Sequence, residues 1–112
     1  MATNVVIANG VQPSTTSATS LYTAPASSGG TRIIAFTACN STAATHSYSA
    51  WIVPSGGSAD DTNKIISDAS MVADASDSPA EIINHLIPPS GQLYVAVDTG
   101  TTINFRATGI QF

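Results

Sequence analysis

The stretch Gln92-Leu-Tyr-Val-Ala-Val-Asp98-Thr-Gly100-Thr-Thr-Ile-Asn-Phe-Arg-Ala-Thr-Gly-Ile-Gln-Phe112 decides the fold class. Leu93, Val95 and Val97 alternate with Tyr94, Ala96 and Asp98, the period of two that a strand imposes on its side chains. After Asp98-Thr-Gly100 the alternation resumes, with Ile103, Phe105 and Ala107 on one side and Thr102, Asn104, Arg106 and Thr108 on the other. Two such runs around a turn predict a hairpin. The parity then slips, because Ile110 and Phe112 are even-numbered. A bulge at Thr108-Gly109 is expected to return both to the inward side, glycine being the residue that bulges favour.

Working outward, turn signals recur at Asn9-Gly10, Gln12-Pro13, Ala24-Pro25, Ser28-Gly-Gly30, Pro54-Ser-Gly-Gly57 and Pro88-Pro-Ser-Gly91. The runs between them are rich in Val, Ile, Thr, Tyr and Phe, which fit a pleated, half-buried surface. Strands are expected near Asn4–Ala8, Ser20–Thr23, Thr31–Asn40, Ser47–Val53, Lys64–Ser67, Glu81–Ile87, Gln92–Asp98 and Thr101–Phe112. Helix is scarce, because serines at 67, 70, 76 and 78 interrupt any 3.6-residue stripe between Asp60 and Pro79, leaving at most a short helical turn there. The sequence therefore predicts an all-β fold, an antiparallel β-sandwich or jelly roll of about eight short strands. Residues 20–112 make a single β-sandwich domain, and residues 1–19 are either an arm that adds a strand to a neighbour or an ordinary first strand.

Composition restricts what such a domain does. Charged residues make up 9% of the 112 residues and hydrophobic ones 43%, whereas a globular domain typically carries about 25% charge. Acid–base and nucleophilic chemistry needs titratable groups set together, and here they are thinly scattered, so no enzyme activity is expected. A net charge of −4 with three cations argues against nucleic acid, whose phosphates draw on clustered Lys and Arg. The longest apolar runs, Arg32-Ile-Ile-Ala-Phe36 and Leu93-Tyr-Val-Ala-Val97, are far shorter than the roughly 20 residues that span a bilayer, and the amino terminus lacks the basic start of a secretory signal. Neither a membrane nor export through a secretion pathway is expected.

Individual residues read the same way. Cys39, the single cysteine, lies in an apolar run and reads as a small hydrophobe. His46 and His85 lack the ligand spacing of zinc, and the acids Asp60, Asp61, Asp68, Asp74 and Asp77 lack the alternation of a calcium loop. No metal or cofactor is expected. Ser49, Trp51 and Val53 share one face of their strand and Tyr48, Ala50 and Ile52 the other, so both faces are apolar and one of them covers a partner or a second layer. Tyr48 and Trp51, with Val5, Val6 and Ile7 of the first strand, are the expected contacts for self-association or attachment to a larger particle. The alternative is a carbohydrate-binding module, recognising host glycan through Tyr48, Trp51 or Tyr94.

Several adjoining segments carry a resemblance. Ser20-Leu-Tyr-Thr-Ala-Pro25, Arg32-Ile-Ile-Ala-Phe36, Asn40-Ser-Thr42, Trp51-Ile-Val-Pro-Ser-Gly-Gly57, Asn63-Lys64 and the Pro-Pro-Ser-Gly turn at 88–91 resemble small structural proteins of tailed bacteriophages. The resemblance runs from about Ser20 to the end and rests on turn and strand signatures. It implies a non-enzymatic virion protein made in the host cytoplasm, a head decoration protein or a neck or tail accessory. Such a protein associates with itself as a trimer and binds major capsid or tail proteins. With so little charge, those contacts are expected to resist salt.

Overall fold

The computed structural model describes residues 2–112, and among them the secondary structure is nine strands without helix. In chain order these are β1 (Thr3–Val11), β2 (Thr19–Thr23), β3 (Thr31–Asn40), β4 (His46–Val53), β5 (Lys64–Met71), β6 (Ser76–Asp77), β7 (Leu86–Ile87), β8 (Gln92–Val97) and β9 (Ile103–Gln111). One sheet, sheet A, has the order β1-β9-β3 with both β6 and β7 on the far edge of β3. The other, sheet B, has the order β2-β8-β4-β5, and every pairing in both sheets is antiparallel.

This order is nested: the first strand pairs with the last, the second with the one before it, and β3 and β4 lie inside them. Counting β6 and β7 as two pieces of one interrupted edge strand gives the eight-strand jelly roll, in which the chain passes from sheet to sheet at most of its turns. The all-β sandwich expected from the sequence is the fold observed.

The expected hairpin of the last two strands is corrected, because β8 belongs to sheet B and β9 to sheet A. Leu93, Val95 and Val97 do point at the same core as Ile103, Phe105 and Ala107, but from opposite layers. Alternation specifies which side of a strand is buried and leaves the partner strand open. The strand expected at Glu81–Ile87 shrinks to Leu86–Ile87. Residues 80–85 form tight turns, with the Ile83 N–H donating to Ala80 O at 3.3 Å and the His85 N–H to Ile82 O at 3.3 Å. Pro79, which has no N–H for a ladder, precedes the turn. Conversely, β5 runs on to Met71, through the segment where a helical turn was the most that could be expected.

The core is aromatic at its centre. Phe36, Tyr48 and Phe105 pack with ring centroids 5.5 to 6.4 Å apart, and Ile33, Ile82, Ile87, Leu93, Val95 and Ile103 are fully buried around them. Each such aliphatic side chain contributes about 1.5–3 kcal/mol on burial. The two ion pairs present among the described residues are at least partly exposed, His46–Asp98 at 2.9 Å and Lys64–Asp61 at 3.9 Å, and are worth at most about 1 kcal/mol each. Apolar packing therefore dominates this fold.

Asn40 is the principal buried polar pin. Its Nδ2 donates to Ala44 O, Met71 O and Val72 O at 2.8 to 3.2 Å, while its Oδ1 accepts from the Thr42 N–H and hydroxyl. It thus ties the β3–β4 turn to the end of β5.

The bulge expected on β9 is also displaced. β9 keeps strict alternation through Gly109, and the extra residues lie on its neighbours: Ile7 and Gly10 on β1 and Ile34 on β3. A Cβ on Gly109 would sit 2.3 Å from the Arg32 carbonyl oxygen and 2.8 Å from Ile7 Cδ1. Gly109 is therefore an inward-facing gap that Ile7 fills. Ile110 is left half-buried and Phe112 40% exposed, with the Arg32 guanidinium 5.0 Å from its ring centroid.

Candidate functional site

The two outer faces of the sandwich differ in chemistry, and each is built by the alternate residues that the core does not use. On sheet A the three long strands β1, β3 and β9 contain no acid, and Arg32 and Arg106 are their only charged residues. Val6 and Ile34 stand out from this face, 62% and 41% exposed. They stand there because Ile7 and Ile34 are the inserted residues of their strands, and a bulge re-aims its neighbours.

Two clefts of about 250 Å³ each flank Val6. One is lined by Ala8, Ala35, Thr37 and Arg106 among others, the second by Val5, Ile34, Thr108 and Ile110 among others. Arg106 bends along the surface, Nη1 donating to Asn9 Oδ1 at 2.7 Å. Val6 thus lies between two hollows, one lined mainly by small and polar side chains and the other by aliphatic ones.

The outer face of sheet B is polar. Ser47, Ser49 and Trp51 of β4 lie beside Asp98, Ala96 and Tyr94 in the β4–β8 register, and Lys64 and Asp68 come from β5. Asp68 adopts a left-handed φ of 48° inside a bulge of β5. Its backbone N–H donates to Ser49 Oγ at 2.9 Å, and that hydroxyl donates to Asp68 Oδ1 at 3.3 Å. The Lys64 ammonium lies 5.3 Å from the Trp51 ring centroid. Together with Thr16 and Asp98 these residues line a cleft of about 220 Å³.

The five residues singled out from the sequence are scattered by the fold. Val6 is exposed and Val5 half-buried on the sheet A face, whereas Ile7 is buried against Gly109. Tyr48 is corrected as a contact residue: it is 1% exposed, in the aromatic core, and its hydroxyl donates to Asp77 Oδ2 at 2.8 Å. Burial, and after it that hydrogen bond, pushes its phenol well above the ordinary tyrosine range. Trp51 is half-buried on the opposite face from Val6, and its indole N–H is buried without an acceptor among the described residues. Alternation grouped Trp51 with Ser49, and Asp98 with Tyr94 and Ala96, but the placement of Ile34 and Asp68 on these faces had no signal in the sequence, because bulges put them there.

Nothing among the described residues assembles catalytic or metal chemistry. No group of three or more His, Cys, Asp or Glu side chains is placed to hold a metal. Cys39 is half-buried on β3, and Asp60 is held below the usual carboxylate range by hydrogen bonds from the Thr62 hydroxyl and backbone. No helix is long and apolar enough to cross a membrane.

No protein-family model matches the sequence, and no curated protein does. The fold is similar to that of a chain in the structure of the infectious bursal disease virus Gx strain, with a TM-score of 0.54 at 15% sequence identity. The likeness covers 99% of this chain and 31% of that one. The protein therefore shares an all-β sandwich fold with part of that chain. The assignment to tailed bacteriophage proteins, and with it a place on a tail, is corrected, since the matching fold lies in a virus that is not a phage. The segments behind that assignment, such as Leu21-Tyr-Thr-Ala-Pro25 and Val53-Pro-Ser-Gly-Gly57, are turn chemistry. A Pro or Gly at a strand end satisfies local backbone geometry and says nothing of lineage.

Proposed function

We propose that this chain is a structural protein of a virus particle, which associates with itself as a trimer and attaches to the particle shell through the outer face of sheet A. The outer face of the acid-free strands β1, β3 and β9, with exposed Val6 between two clefts and exposed Ile34 lining the second of them, carries the reading. Natural sheets protect exposed surface with charge, and on these three strands only Arg32 and Arg106 supply it. Covering it removes apolar area from water at about 25 cal/mol per Å², and many copies on one shell add their weak contacts. The fold shared with part of a chain in a virus structure supports the same reading.

Native mass spectrometry of the purified chain, with sedimentation at low and high salt, tests it. A trimer whose stability is unchanged by salt is expected, because apolar contacts are not screened. A chain that stays monomeric at high concentration, or an assembly that dissolves as salt rises, overturns it.

A further inference from the structure

We propose that the cleft on the opposite face, beside Trp51, binds a neutral saccharide. This inference stands apart from self-association, since it concerns sheet B and a single copy of the chain. The cleft combines what sugar recognition requires. Trp51 lines the cleft and offers an indole surface for the C–H face of a pyranose when the Lys64 ammonium, 5.3 Å from its ring centroid, moves aside. The carboxylates of Asp68 and Asp98 accept from hydroxyl groups, and the Lys64 ammonium and Ser47 hydroxyl donate to them.

The polar groups are held in place. Asp98 Oδ1 is 2.9 Å from His46 Nδ1, and Asp68 is fixed by its reciprocal hydrogen bonds with Ser49. Hydrogen bonds to charged groups are the stronger ones, and prior positioning lowers the cost of ordering on binding. Lys64 is the movable member, held by the Trp51 ring 5.3 Å away and by a fully exposed Asp61 at 3.9 Å.

Size and charge narrow the ligand. About 220 Å³ is below the roughly 300–1,000 Å³ of drug-sized sites, so the cleft takes one sugar ring. Two carboxylates face one ammonium, which disfavours an acidic sugar. Tyr48 takes no part, because its side chain lies in the core.

The chain has one tryptophan, so a single indole N–H resonance reports on the cleft. The experiment titrates the ¹⁵N-labelled protein with methyl mannoside, methyl galactoside and N-acetylglucosamine, and with N-acetylneuraminic acid as the charged comparison. A saturable shift of the indole resonance with at least one neutral sugar is expected, with Kd on the order of 1 mM. Asp98→Asn, at an exposed position, should weaken it about tenfold. Ala96→Leu, which fills the cleft floor, should abolish it while the circular dichroism spectrum stays unchanged. No saturable shift with any neutral sugar overturns the proposal. So does a shift of wild-type affinity in both variants, or binding of the acidic sugar as tight as that of the neutral ones.

Discussion

The outer faces of sheets A and B are made by the same rule and end in opposite chemistry. In both, alternate residues of neighbouring strands turn away from a shared core, and in both a bulge redirects what the surface presents. On sheet A the bulges at Ile7 and Ile34 leave Val6 and Ile34 projecting from a surface without acids. On sheet B the bulge in β5 turns Asp68 toward Ser49 and helps enclose a polar hollow with Trp51 at one end. The two faces thus differ: one sets exposed aliphatics beside two arginines on acid-free strands, the other offers carboxylates, an ammonium and hydroxyls for directional hydrogen bonds.

Gly109 offers the strongest way to break that contrast. Gly109→Ala drives a methyl into the Arg32 backbone carbonyl of β3 and the end of the Ile7 side chain of β1, forcing β3 away from β9. A loss of about 3 kcal/mol is expected in chemical denaturation, together with loss of self-association, while the sheet B cleft stays intact in the molecules that remain folded. A loss below ~0.5 kcal/mol would mean that Ile7 moves freely and that the face around Val6 is not fixed.

Val6→Glu separates the faces more cleanly. The side chain is 62% exposed, so folding stability should change by less than ~0.5 kcal/mol. Association, read by sedimentation, should weaken by about 2 kcal/mol, or roughly 30-fold. Unchanged association would move the contact away from this face.

Tyr48 links the two sheets, since it stands on β4 of sheet B and bonds Asp77 on β6 of sheet A. Its phenol is raised in the folded state. Above the ordinary tyrosine value of about 10, the unfolded chain loses the proton while the folded chain keeps it. The unfolded state then binds fewer protons, and stability falls by about 1.4 kcal/mol per pH unit. Tyr48→Phe should cost about 1 kcal/mol near neutral pH and remove that part of the alkaline slope. Denaturation series at pH 8 and about pH 11 check it, and parallel slopes for the two proteins would contradict it.

The smallest expected effect belongs to Asp61→Asn on the sheet B side. The Lys64–Asp61 pair is long and Asp61 fully exposed, so stability should move by less than ~0.5 kcal/mol. A larger loss would make Lys64 a fixed wall of the cleft and not its movable one.

Within-strand features were well marked in the sequence. The bounds of β3 agree with the expected Thr31–Asn40, and Leu93, Val95, Val97, Ile103, Phe105 and Ala107 are buried as their alternation predicts. The short edge strand β6 carried no such signal: two residues have no period. Tyr48 misled because its strand is apolar on both sides, and only the packing of Phe36 and Phe105 against it tells which side is core.

By itself the sequence determined that this protein is an all-β sandwich with few charges, because side-chain period, turn residues and composition are local quantities. The tertiary structure decided that β8 and β9 lie in opposite sheets, that the bulges fall on the neighbours of β9, and that one outer face presents exposed aliphatics on acid-free strands while the other holds a polar cleft. Strand partners and bulge positions depend on the fit of distant segments such as Ile7 against Gly109, and no local pattern encodes that fit.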